Sequence, residues 1–366
     1  MTDLTPDLAP VTTPAEGPPL LRLRAGLAAL RRDQRTWQIG IDPSTAVLVR
    51  HADEAVARGL RALDRWHHPE ADPADVGLLP PELLTALERC GLLAPDASPR
   101  GDRSAMWHGR HFADAAAGGL AGITAAFAER RRRRVAVEGS GPVAALVATG
   151  LAAAGIGTVA ATGSRRPVRT TDLTPAGPWE RDLGRPWADA TADAVRALHA
   201  GTTLVEDGTP DLVVLTQAAD ADAPWCDPEH GDRWLRAAVA HLAVTVAGRG
   251  AQIGQVVIPG RTACLNCREL AHAHLEPAWP VLASGLRRLA RDGAADTPMA
   301  LSRSLVGAAA ALGVSRALAH LDGCEDGADA YDLLLRLPGA EPQRQSAAPQ
   351  DACGCRWMEA SGTMQV

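Results

Sequence analysis

The sequence predicts an α/β protein: a Rossmann-like, mostly parallel sheet with a structural zinc knuckle, preceded by a small winged-helix-like α+β module. Three observations carry this. Residues 135–159 run as strand, glycine turn, alanine-rich helix and second strand. Helical and apolar strand patterns then alternate to about residue 260. Two close cysteine pairs, Cys264/Cys267 and Cys353/Cys355, lie far apart in the chain.

In VAVEGSGPVAALVATGLAAAGIGTV, residues 135–137 read as a strand, and Gly139 and Gly141 form a turn. Pro142 suits the first helical turn, Gly155 and Gly157 end the helix, and a second strand begins at Thr158. Such a unit turns a helix N-terminus toward a phosphate. Ala144 stands where a third glycine is usual.

The chain has 366 residues, 46% hydrophobic, enough for a sizeable core and two or three domains. Residues 139–164 carry no charge, but Ala and Gly dominate and Pro142 interrupts, so no membrane span is expected. The N-terminus has no basic start and apolar run, so no secretory signal is visible and a cytoplasmic location is expected. All 37 basic residues are arginine. Without lysine, no ammonium can hold a phosphate, form a Schiff base or act as general base. A net charge of -6 argues against nucleic acid as partner. The run Arg130 to Arg134 reads as a solvated linker or helix end, or else as a polyanion site.

Residues 1–19, rich in Pro and Thr, are expected to be disordered. In residues 20–95, Trp37, Ile39 and Ile41 alternate, Asp42-Pro43-Ser44 turns, and Val47 and Val49 resume, as in a hairpin. A helix is expected from Asp53 as cap through Leu60, Leu63 and Trp66, and a second with Leu83, Leu84 and Leu87 on one face. This module is either a peptide-recognition unit or a packing appendage. Residues 96–131 read as a helical linker to a Rossmann domain over 132–366. There, helices are expected over 188–199, 232–243 and 298–321, with strands over 211–217, 244–250 and 331–337.

Of seven cysteines, Cys264, Cys267, Cys353 and Cys355 can enclose one tetrahedral Zn²⁺. In a cytosolic chain such pairs favour metal over disulfide. Four sulfurs leave no open position, so the site is structural. His272 or His274 is the alternative fourth ligand. Cys90 and Cys324 read as ordinary helix-associated cysteines.

The glycine turn, the strand entering PGRTACLNC and the distant C-terminal cysteine pair together resemble the ThiF and MoeB adenylyltransferases, relatives of ubiquitin-activating enzymes, over residues 135–357. The N-terminal module and the tail CGCRW are similar to one branch, the ThiF-like proteins of thiazole/oxazole-modified peptide clusters. That resemblance implies binding of a precursor's leader peptide, its delivery to a YcaO-type cyclodehydratase, and a homodimer. Against the catalytic pattern, the second strand ends Ala160-Ala161-Thr162-Gly163 without the ribose carboxylate. Arg165, Arg166 and Arg169 follow, but no Asn-x-x-Arg-Gln, and Asp220 and Asp222 match the magnesium position poorly.

Gly139 and Gly141 are therefore read as a vestigial nucleotide turn, with ATP doubtful and no catalytic residue assigned. The favoured function is a non-catalytic, leader-binding scaffold. The alternatives are an active adenylyltransferase of a peptide or protein C-terminal carboxylate, and an NADP-dependent oxidoreductase with Arg165 and Arg166 on a 2′-phosphate. For a leader peptide, the candidate surface is a strand edge at Trp37 and Ile39 or at Val47 and Val49, flanked by Leu83, Leu87, Arg58 and Arg61. An acidic leader suits those arginines.

Overall fold

In the computed structural model, residues 21–24, 26–42, 46–90, 92–95, 128–162, 166–198, 202–204, 208–216, 226–291, 301–323 and 330–356 are described. The expected disordered N-terminus, nearly all of the linker, Arg165, Asp220, Asp222 and Cys324 lie outside them. The chain divides into two units, Met1–Thr124 and Ala125–Val366.

In the first unit, β1 (Leu21–Leu23) pairs antiparallel with β5 (Leu93–Pro95), and β2 (Ala29–Arg31), β3 (Trp37–Ile39) and β4 (Val47–Val49) form a three-stranded meander. The expected hairpin is β3–β4. The unforeseen β2 makes β3 the middle strand. Helix α1 (Glu54–Leu63) starts at Asp53, whose carboxylate accepts the Val56 N–H at 2.8 Å. It ends before Trp66, which is exposed with Arg22 stacked on it. Helix α2 (Pro81–Arg89) follows, and Leu23, Trp37, Ile39, Leu60, Leu63 and Leu87 form the core.

The second unit contains a seven-stranded sheet ordered β12-β11-β10-β9-β8-β6-β7. Strands β7 (Thr158–Thr162), β6 (Arg134–Glu138), β8 (Leu212–Thr216) and β9 (His241–Ala247) are parallel. Strands β10 (Gly250–Ile253), β11 (Tyr331–Arg336) and β12 (Gln343–Ser346) continue it antiparallel. Helices α3 (Pro142–Ala153), α4 (Trp187–Leu198) and α8 (Arg303–Leu321) pack toward one face; α5 (Pro228–Arg236) and α6 (Leu265–Leu275) cover the other, with α7 (Trp279–Arg291) beyond α6.

The helix expected over 298–321 begins at Arg303, and a larger shift occurs upstream. The helix placed over 232–243 is α5, shifted toward the N-terminus. Asp227 caps it by accepting the Glu229 N–H at 3.1 Å, Pro228 opens it, and His241 to Ala243 are drawn into the ladder with β8. Among the described residues, α8 is the helix long and apolar enough to cross a membrane, and it packs on α3, β9 and β10. Gly150 and Gly313 leave room for Val314 and Val244 in that packing.

The arginine run is structural. Arg130 is buried, paired with Asp322 at the end of α8, and donates to the Ala154 carbonyl at 3.2 Å. Arg132 and Arg133 pair with Glu129 at 3.2 and 3.3 Å. Removing one partner of a buried ion pair strands the other charge, so Arg130→Ala should cost about 3–5 kcal/mol, read as a lower denaturant midpoint with an unchanged slope.

Candidate functional site

The four cysteines converge. Cys264 caps α6 and Cys267 lies one turn on, so both face the same side of the helix. Cys353 ends a short 3₁₀ turn, and Gly354 at φ 70° reverses the chain to return Cys355. All four sulfurs lie within 4.8 Å of one another, with Cys264–Cys353, Cys267–Cys355 and Cys264–Cys267 at 3.4, 3.5 and 3.9 Å. A tetrahedron of four sulfurs about 2.3 Å from a metal has edges of about 3.8 Å, so the cluster could hold a metal ion. Disulfide sulfurs would lie about 2.05 Å apart. Neither His272 nor His274 belongs to the cluster; His272 packs edge-on against Trp279 at 4.7 Å.

The surroundings fix both ligand-bearing segments. The buried Gln255 amide donates to the Ala263 carbonyl at 3.0 Å and the Ala347 carbonyl at 3.1 Å, stapling knuckle to tail. The Gln350 N–H donates to Cys267 Sγ at 3.3 Å. The Cys264 thiol bonded to Cys267 holds the latter down at about 5, while the same contact pushes Cys264 up and burial takes Cys353 to about 12. Crowded thiols cannot all ionise against one another, and a divalent cation removes that conflict. Purified chain should carry about one metal ion held by four thiolates. Cys353→Ser should lower both metal content and Tm; metal analysis and thermal unfolding check this.

The second candidate site is the mouth of the parallel strands. The chain runs from β6 to β7 on one side and then crosses to β8 on the other side of β6, so the switch-point crevice lies between β6 and β8. Gly139, at φ 114°, passes so near Thr216 that a Cβ would strike its hydroxyl and carbonyl. Gly141, at φ 92°, caps α3 ahead of Pro142. The Thr216 hydroxyl donates to the Glu138 carbonyl at 2.8 Å, and the Glu138 carboxylate pairs with Arg233 of α5. Arg166 makes two hydrogen bonds of 2.7 Å to the buried Asp172 and reaches Ser140 Oγ at 3.4 Å. The Arg169 N–H also donates to Asp172, at 2.8 Å. Strand β7 ends at Thr162 without a carboxylate.

Of the two expected peptide edges, the one at Trp37 and Ile39 requires correction. Strand β3 is hydrogen-bonded on both sides, so Trp37 and Ile39 present no free edge. Their side chains, with Val49 and Leu87, are buried in the core, and Val47 and Leu83 are half-buried against it. Arg58 lies 3.9 Å from Asp75, while Arg61 pairs with Glu54 and stacks on Trp37. The outer edge of β2 is capped where the buried Asp64 accepts the Ala29 N–H at 2.8 Å.

That leaves β4. The bonds Gly40 N–H to Ala28 and Arg32 N–H to Thr36 bracket Leu30–Gln38 as a hydrogen-bonded pair, so Trp37 and Ile39 face β4 and the Leu48 N–H and C=O face outward. Leu30 and Leu48 are exposed on the sheet's outer face, 45% and 38%. The position of Leu48 was legible in the alternation Val47-Leu48-Val49; the free edge depended on finding β2.

No family model and no curated protein matches the sequence. Solved structures do. Escherichia coli MccB with ATP aligns at TM-score 0.65 and 14% identity, over 92% of this chain and 99% of that one. The microcin C7 biosynthetic enzyme MccB in complex with N-formylated MccA aligns at 0.63 and 13%, over the same shares. PaaA aligns at 0.54 and 14%, over 72% of this chain and 91% of that one. The chain thus shares the fold of E. coli MccB over most of its length, the ThiF/MoeB-like fold its sequence resembles.

Proposed function

We propose that the chain is a non-adenylating scaffold that binds the leader of a precursor peptide and presents it to a YcaO-type cyclodehydratase. The observation that carries this is the switch-point crevice, where the charged groups Glu138 and Arg166 among the described residues are each engaged in an ion pair. Glu138 is paired with Arg233 and Arg166 with Asp172, and Thr216 fills the space beside Gly139. A triphosphate would find a helix N-terminus there, with no lysine in the chain and no ribose carboxylate on β7. The commitment of Arg166 to Asp172 also counts against a 2′-phosphate partner, and with it the oxidoreductase reading.

Peptide binding is supported by MccB, which has been solved with the precursor peptide MccA. In this chain we place the leader antiparallel or parallel along β4, adding a strand through the outward Leu48 amide group and packing side chains on Leu30 and Leu48. The cyclodehydratase partner and the homodimer are proposed on the resemblance, and the cytoplasmic location on the sequence reading. The four cysteines are assigned to zinc, which in a closed sulfur site contributes folding energy and takes no part in a reaction. MccB with ATP favours a second reading, an active adenylyltransferase that joins AMP to a peptide carboxylate.

ATP–pyrophosphate exchange with candidate precursor peptides separates the two readings. No exchange is expected; peptide-dependent exchange lost in Gly141→Asp would establish the second. For the docking edge, the full chain should bind its cognate leader with a Kd on the order of micromolar. Leu48→Pro, which deletes the outward N–H, should weaken this at least about tenfold while Leu48→Ala weakens it less. Fluorescence anisotropy with labelled leader measures both, and unchanged binding in a folded Leu48→Pro chain would move the site elsewhere.

A further inference from the structure

We propose that Glu138 is the residue that discriminates against nucleotide, its carboxylate repelling a triphosphate from the glycine turn that directly follows it. The inference rests on the reading that the crevice holds no ATP, and it assigns the cause to one side chain.

Ligands of open α/β sheets enter the crevice outside the C-terminal strand ends, at the switch point. Here that crevice lies at the C-terminal ends of β6 and β8, beside the turn leading from β6 into α3. Along β6, Val135 and Val137 face the core shared with α3 and α8, and Ala136 faces the core shared with α5 and α6. Alternation puts Glu138 on the side of Ala136, where Arg233 of α5 meets it. The ion pair therefore joins β6 to α5.

The two partners differ in burial. The Glu138 side chain is 13% exposed, whereas Arg233 is 62% exposed and stacks on Trp234 at 4.7 Å. The carboxylate is thus the fixed charge and the guanidinium the solvent-screened one. The backbone of the turn favours an anion: two glycines with positive φ, the α3 N-terminus and no carboxylate on its first turn. Glu138 opposes this from one residue away, and Arg166, the cation that reaches Ser140 of the turn, is neutralised by Asp172.

Equilibrium dialysis of the full chain with Mg·ATP tests the assignment, using wild type, Glu138→Gln, Glu138→Ala and Arg233→Ala, with folding checked by thermal unfolding. Glutamine keeps the volume and the hydrogen bond to Arg233 and removes only the charge. Both Glu138 variants should bind ATP at least about tenfold more tightly than wild type. Arg233→Ala, which leaves the carboxylate unpaired, should bind no more tightly. A folded Glu138 variant that binds ATP no better than wild type overturns the assignment while leaving the scaffold reading intact. Tight binding by wild type overturns the scaffold reading instead, and the ratio of variant to wild type still judges Glu138. If one Glu138 variant fails to fold, the affinity of the other decides.

Discussion

At Gly139 the backbone runs against Thr216 with no space for a side chain, and the β6–β8 junction is built on that contact. The Thr216 hydroxyl completes it by donating to the Glu138 carbonyl, and Glu138 then ties β6 to α5 through Arg233. A larger residue at 139 would part the strands at the switch point and misplace α3, whose helix begins three residues later. The glycine is required by strand packing whether or not a phosphate ever approaches it. A glycine turn of nucleotide-binding appearance thus coexists with the described ion pairs Glu138–Arg233 and Arg166–Asp172 at the strand ends.

The antiparallel half of the sheet depends on a second set of ties. Asp332 of β11 is buried, accepts the Gln252 amide at 2.8 Å and the Gln255 N–H at 2.9 Å, and lies 3.0 Å from Arg268 of α6. Gln255 in turn holds the segments that bear the cysteines. Knuckle, tail and the β10–β11 pairing are therefore one network, in which a metal ion would fasten the C-terminal end of a chain whose last strand, Gln343–Ser346, is polar and lies at the sheet edge. A metal held by these four sulfurs would have no position left for a reactant.

Much of this was legible in the residues. The strand-turn-helix of the first βαβ unit, the convergence of Cys264, Cys267, Cys353 and Cys355, and the hairpin at Trp37 to Val49 could be read from apolar periodicity and spacing. Strand β2 could not, because three residues with an exposed Leu30 show no alternation. Neither could β12, whose residues have no apolar face. The end of α5 was misplaced because His241 to Ala243 are as compatible with a helix as with a buried parallel strand, and only pairing with β8 decides. The choice between the two candidate peptide edges was open for the same reason: which strand is free depends on a partner strand and on the buried Asp64, both matters of tertiary structure. The pairing of Glu138 with Arg233 spans 95 residues and leaves no local signal.

In the reading proposed above, the chain's own side chains keep nucleotide out of the switch-point crevice. Amide hydrogen exchange of the peptide covering Glu138 to Ala144, measured with and without millimolar Mg·ATP, tests it at the turn itself. The account predicts identical exchange in both conditions, because no phosphate reaches the Gly139, Ser140 and Gly141 amides. ATP-dependent protection of those amides in the wild-type chain would contradict it.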